Sequence, residues 1–232
     1  MRFFTIYMLL ISSAFATPLP YKKLVTTFSG GPGWAQPFQA LVVSHATNPY
    51  AQVSLYHQNT QTLGFGELFI SAQYPFYNEI QGQFGAAISG AGNATSNVID
   101  QSTIHTTQNS YELVQYRIAF RGKWFAELKH ITPYITASVG GGFTAMTPNN
   151  SLNINKNSIQ VIDNNAYSIP YTFGIGFQHA LNSHWTYGIG YEYYNWGNAD
   201  VNLIPTAYHK TYNLNLLSMN SLIFSISYRD FQ

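Results

Sequence analysis

The stretch Gln115-Tyr116-Arg117-Ile118-Ala119-Phe120-Arg121-Gly122-Lys123-Trp124-Phe125-Ala126-Glu127 sets Tyr116, Ile118, Phe120 and Trp124 on one parity and Gln115, Arg117, Arg121, Lys123 and Glu127 on the other. Successive side chains of a strand point to opposite faces, so this is a strand with one apolar wall and one charged wall. Related alternation recurs in at least six other segments. Most of these exceed the roughly 5 to 6 residues usual for a strand of a soluble protein. Long, alternating and aromatic strands are the pattern of a transmembrane β-barrel.

Composition agrees with that pattern. Of 232 residues only 8% are charged, while 16% are aromatic; an ordinary soluble chain carries roughly 25% charge. A surface so poor in charge suits a protein with a band facing lipid. A secreted β-sandwich, the soluble alternative, would show shorter strands and more charge. The length accommodates a single all-β domain.

The N-terminus reads as a signal peptide over residues 1–16, with Arg2 as the positive n-region, Phe3 to Ile11 as the apolar stretch and Ala14-Phe15-Ala16 as the cleavage site. The barrel domain then covers residues 17–232. Past Ala16 no uninterrupted apolar run reaches the roughly 20 residues of a spanning helix, so a membrane location requires a closed barrel and points to a bacterial outer membrane. The absence of cysteine fits an exported barrel without disulfides. Without Arg2 the chain has nine basic and nine acidic residues, a balance that points to no nucleic-acid partner.

Eight strands are expected, near 22–33, 62–76, 80–91, 112–127, 133–146, 167–180, 185–197 and 217–229. Short links at 77–79, 128–132 and 181–184 alternate with long ones at 34–61, 92–111, 147–166 and 198–216. Short periplasmic turns and long extracellular loops are the habit of outer-membrane barrels, which puts both termini in the periplasm. Alternating pieces inside two long links, 40–44 with 51–56 and 152–154 with 159–161, raise the rival count of ten strands. Phe65 sits off the apolar parity of its strand between Gly64 and Gly66, the signature of a bulge. Two aromatic girdles are expected, with Tyr74, Phe76, Trp124, Tyr134, Trp185 and Tyr228 toward the turns and Trp34, Tyr116, Phe143, Tyr171, Tyr193 and Trp196 toward the loops.

Parity points every charge within the strands inward: Glu67, Arg117, Arg121, Lys123, Glu127, Glu192 and Arg229. On the lipid face near the midplane an Arg or Lys costs roughly 2 to 4 kcal/mol. An eight-stranded barrel is just wide enough for side chains to fill, and Gly174, Gly176, Gly188 and Gly190 leave room for long ones. The candidate ion pairs join Glu67 or Glu192 to Arg117 or Arg121. Such a network either plugs the lumen or lines a narrow ion path.

Catalysis finds little support. None of the seven histidines, His45, His57, His105, His130, His179, His184 and His209, occupies an inward mid-strand position. Ser44, Asp100 and Asp200 share loops with some of them, yet no nucleophile–base–acid pattern is spelled out. No pair of histidines has a metal-ligand spacing, and no cofactor motif is present.

Taken in order, the signal peptide, Pro133-Tyr134-Ile135-Thr136-Ala137-Ser138-Val139-Gly140-Gly141-Gly142-Phe143, Gly188-Ile189-Gly190-Tyr191-Glu192-Tyr193 and the last strand resemble the small outer-membrane β-barrel proteins of the OmpA and opacity-protein type, porin-like barrels of about eight strands. The resemblance implies a non-enzymatic role in envelope structure or adhesin-like surface interaction, with outer-membrane lipids as surroundings and an extracellular ligand or host surface met by the loops. A narrow porin-like channel for ions or small solutes is the alternative, and a lipid- or peptide-modifying enzyme a more distant one. Leu222, Phe224, Ile226 and Tyr228 resemble the C-terminal signal that the family presents to the barrel assembly machinery. The family usually ends on the aromatic itself, whereas Arg229, Asp230, Phe231 and Gln232 follow here.

Expressed in a Gram-negative host, the chain is expected to yield a mature protein starting at Thr17. N-terminal sequencing of the membrane fraction checks this; a first residue of Met1 refutes it.

Overall fold

The computed structural model describes residues 23–36, 40–45, 52–56, 60–77, 79–102, 106–128, 131–148, 160–161, 165–204, 210–215 and 218–230. The expected signal peptide lies outside them. Every regular element among the described residues is a strand. Eight strands build a closed wall: β1 (Lys23–Gln36), β2 (Gln61–Tyr77), β3 (Ile80–Ser102), β4 (Thr106–Ala126), β5 (Thr132–Pro148), β6 (Tyr171–Ala180), β7 (Trp185–Asn195) and β8 (Ser218–Asp230). Each is antiparallel to the next. β1 then pairs with β8, from Leu24 opposite Asp230 to Gln36 opposite Ser218, and the sheet is left without an edge in its wall.

Alternation directs the side chains. Along β4 Tyr116, Ile118 and Phe120 are exposed while Gln115, Arg117, Ala119, Arg121 and Lys123 are buried. The same holds on β6, where Tyr171, Phe173, Ile175 and Phe177 face out and Thr172 and Gln178 face in. Between the rims the outer wall is largely apolar, and Tyr191 Oη donates to Asn220 Oδ1 at 2.6 Å. Near the turn end Phe84 meets Trp124 edge-on at 5.4 Å, and Trp185 lies 5.0 Å from Tyr228. These are girdle contacts.

Four expectations need correction. Residues 92–111 are not a long loop: β3 and β4 continue pairing through Ala94 opposite Leu113 to Gln101 opposite Thr106, after a register shift between Ala91 and Ala94. At about 3.4 Å per residue a 23-residue strand runs to about 78 Å, far beyond an apolar band about 25 Å tall, so this hairpin rises out of the barrel. The expected strand 167–180 divides into Asn165–Ser168, paired with Gly142–Ala145, and β6. Pro170 lies between them, and a residue without an N–H interrupts the ladder; its carbonyl instead accepts from Gly140 N–H at 3.0 Å.

No bulge occurs at Gly64 to Gly66, because the register from Leu63 opposite Gly33 to Glu67 opposite Ser29 is unbroken and Phe65 simply faces the lumen. The count of ten strands gives way to eight. Ala40–His45 and Gln52–Tyr56 do pair with each other, but Ala40–His45 joins the distal part of β3 in parallel, Leu41 opposite Val98, and so extends the sheet outside the wall. Asn198–Ile204, Lys210–Asn215 and Gln160–Val161 form a separate three-stranded sheet at the same end. Residues 152–154 lie outside the described residues.

Ile118, 65% exposed in the middle of β4, reports on the lipid face. Ile118→Arg is expected to destabilise the barrel by roughly 2 to 4 kcal/mol, and Ile118→Ala by much less, in denaturant unfolding from lipid vesicles.

Candidate functional site

The lumen is the place where polar and charged side chains converge. Its centre is built from four side chains on three strands. Glu67 projects from β2, Arg117 and Arg121 from β4 on the same face with Ala119 between them, and Glu192 from β7, all four charged residues being at most 6% exposed. Arg117 Nη2 donates to Glu67 Oε2 at 2.7 Å, and Arg121 Nη1 lies 2.7 Å from Glu67 Oε1. Arg121 also reaches across the barrel to both oxygens of Glu192, by Nη1 to Oε2 at 3.1 Å and by Nη2 to Oε1. One guanidinium therefore ties carboxylates from opposite sides of the wall.

Further hydrogen bonds engage Arg117 and Glu192. Arg117 Nε donates to Ser89 Oγ at 2.6 Å and its Nη1 to Ser138 Oγ at 3.1 Å, with Ser138 bonded in turn to Thr172 at 2.7 Å. Glu192 accepts from Thr136 Oγ1 at 3.1 Å and from Tyr194 Oη at 2.6 Å. A carboxylate this fully engaged has no lone pair to offer as a general base. Charge-assisted bonds of this kind are the strong ones, and leaving either partner alone in so dry a place costs about 3 to 5 kcal/mol.

Above the charges, toward the loop end, the lumen is closed by rings. Phe65 and Tyr194 have centroids 4.5 Å apart, Tyr194 and Trp196 stack at 6.2 Å, and the Arg117 guanidinium lies 4.8 Å from the Tyr194 ring and 5.9 Å from that of Trp196. Trp196, expected in the outer girdle, is thus inside, 1% exposed. Gly197 follows it with φ of +83°, a left-handed turn that sends the chain out of the barrel.

Tyr134 moves inward for a different reason. It shares parity with Thr136 and Ser138, and Gly176 and Gly190 vacate the space its phenol fills: a Cβ on either would overlap the ring or its hydroxyl. Those two glycines therefore serve Tyr134, whereas Gly174 makes way for Glu192 and Thr136. The lumen is not polar throughout, since Leu63, Phe65, Phe69, Met219 and Ile223 also line it.

Below the cluster, toward the turn end, the fill is amide and hydroxyl. Lys123 Nζ donates to Gln178 Oε1 at 2.5 Å and sits 4.3 Å above the Tyr134 ring. Gln83 donates to Gln73 at 3.4 Å, Gln73 to Gln81, and Thr27 shares a 2.8 Å bond with Ser227. Small gaps remain, among them one beside Arg121 and Glu192 and one between Gln178 and Arg229, each with room for about one water.

Of the two outermost charges read as part of the inner network, Glu127 lies elsewhere and Arg229 lines the turn-end mouth of the lumen. Glu127 stands past the last residue of β4 and is exposed, its N–H bonded to Glu79 O at 3.1 Å. Arg229 is half-buried at the turn-end mouth, its N–H bonded to His184 O at 2.8 Å. On β8 Phe224, Ile226 and Tyr228 are exposed and Leu222 half-buried.

Of the histidines, His179 packs edge-on against Tyr187 and His184 stacks on Tyr228, both at the rim. His45 lies opposite Ser102, with Ser44 and Asp100 in the same parallel ladder. Asp200 is opposite Asn213. His57, His105, His130 and His209 are outside the described residues. Among the described residues no cluster of three or more His, Asp or Glu is arranged to hold a metal.

No family model and no curated protein matches the chain. Its structure is similar to that of Neisserial surface protein A, at 10% identity and a TM-score of 0.52, over 89% of this chain and 96% of that one. It is also similar to the outer membrane protein OprG from Pseudomonas aeruginosa, at 11% identity and a TM-score of 0.48, over 91% and 98% of the two chains. The attachment invasion locus protein Ail of Yersinia pestis, solved with the heparin analogue sucrose octasulfate, follows at 10% identity and 0.43, over 90% and 99%. The fold is that of the small outer-membrane β-barrels.

Arg121→Ala is expected to leave Glu67 and Glu192 without their shared cation and to cost about 3 to 5 kcal/mol. Unfolding of the refolded protein, followed by its heat-dependent gel shift, reads this; an unchanged midpoint together with unchanged permeability refutes it.

Proposed function

We propose that this chain, built on the outer-membrane β-barrel fold, is a non-enzymatic protein of the bacterial outer membrane with a structural envelope or surface-interaction role. The observation that carries the reading is the filled lumen: both inner carboxylates are engaged by the arginines, and aromatic rings cover them on the loop side. A cylinder so filled is a rigid mount rather than a conduit. What it mounts is the β3–β4 hairpin and the short strands beside it at the long-loop end. Loops and extensions on rigid scaffolds are where binding usually sits.

In this reading the short links mark the periplasmic side, the termini lie there, the apolar band meets outer-membrane lipids, and Leu222, Phe224, Ile226 and Tyr228 engage the assembly machinery. The long-loop end faces outward toward an extracellular ligand or host surface. A narrow channel is the second reading, favoured by the two water-sized gaps that flank the Lys123–Gln178 bond along the polar core.

Single-channel recording of refolded residues 17–232 in a planar bilayer separates the two. The expected result is a stably inserted, silent barrel. Reproducible unitary openings altered by Arg117 or Arg121 substitution would instead make it a channel.

A further inference from the structure

The ion pairs of the lumen do not balance. Two buried carboxylates, Glu67 and Glu192, face three buried cations, Arg117, Arg121 and Lys123. Both carboxylates are taken by the arginines, and Lys123 forms no ion pair among the described residues; its one hydrogen bond is to a neutral amide, Gln178 Oε1, at 2.5 Å. A buried ammonium without a counter-charge is costly. Of the charges around it, Arg121 and Arg229 oppose its own and Glu192, already held by Arg121, favours it. The carboxylates nearest this mouth in the chain, Glu79, Glu127 and Asp230, are exposed or half-exposed at strand ends rather than turned into the lumen.

Between Lys123 and Arg229 is the gap lined by Val25, Gln83, Gln178, Thr186, Ser227 and Arg229. Its wall carries several donors. Since Gln178 gives its oxygen to Lys123, its NH₂ is the end left to face the gap, so the lysine's charge is relayed as an oriented amide dipole. The guanidinium of Arg229 and the hydroxyls of Thr186 and Ser227 add further donors. Among the residues lining this gap, the buried acceptor Gln83 Oε1 has no hydrogen-bond partner.

We propose that the turn-end mouth of the barrel binds one small monovalent anion of chloride size, held by Arg229 and by the Gln178 amide that Lys123 orients. The chemistry selects an anion because positive charge exceeds negative there, and the one-water dimension selects a halide over a bulky oxyanion. The inference is independent of whether the lumen conducts and of which side of the membrane the mouth faces.

Heat-unfolding midpoints of the refolded protein in detergent, at fixed pH and ionic strength, are to be compared in sodium chloride, sodium gluconate and sodium phosphate. The expected result is a midpoint that rises with the chloride fraction and saturates, with gluconate and phosphate giving no such gain. Lys123→Met is expected to abolish the chloride gain and Arg229→Gln to cut it by at least half. If Lys123→Met does not refold, Arg229→Gln, at a half-exposed strand end, carries the test. Equal midpoints in chloride and gluconate would overturn the proposal, as would a chloride gain that survives Arg229→Gln undiminished or a phosphate gain as large as that of chloride.

Discussion

A sheet placed in hydrocarbon has no water to satisfy its edge, and each unpaired backbone group there costs several kcal/mol. The pairing of β1 with β8 removes that edge, and most of the remaining architecture follows from it. The seam even absorbs Pro32: the register runs to Gly30 opposite Phe224 and resumes at Gly33 opposite Ser221, while Ser221 Oγ donates to the Pro32 carbonyl at 3.0 Å. Closing at eight strands also sets a lumen about as wide as the side chains that fill it. Whatever points inward must therefore pack and be hydrogen-bonded at once.

The inner wall meets that demand in three levels. Rings close the loop side, crossed ion pairs occupy the middle and amides fill the turn side. The middle level is the mechanical tie, because Arg121 of β4 holds β2 and β7 across the barrel through Glu67 and Glu192. Steric economy makes the crossing feasible: any side chain at Gly174 would displace Glu192, and any at Gly176 or Gly190 would displace Tyr134. Small residues on one strand thus decide where long residues on another can lie.

Much of this is legible one strand at a time. Parity separates Tyr116, Ile118 and Phe120 from Arg117, Arg121 and Lys123 without reference to any other part of the chain. Parity misleads only where a second rule overrides it. Aromatic character points Tyr134 and Trp196 to the girdles, and flanking glycines point Phe65 to a bulge, although the parity of Tyr134 and Phe65 points inward. The extended β3–β4 hairpin has the look of a loop because its polar, Asn- and Thr-containing stretch lacks the apolar face that marks a strand inside the membrane.

By itself, then, the sequence determined the strand-by-strand inside and outside, and with it an all-β barrel, because side-chain direction in a strand is a local property of period two. The tertiary structure alone decided the partners: which carboxylates Arg121 bridges, that Lys123 is left with an amide, that Tyr134 rests in the hollow of Gly176 and Gly190, and that Glu127 falls beyond the wall. Those outcomes depend on the register between strands far apart in the chain and on closure into a ring of limited width, and neither is encoded in the alternation of any single strand.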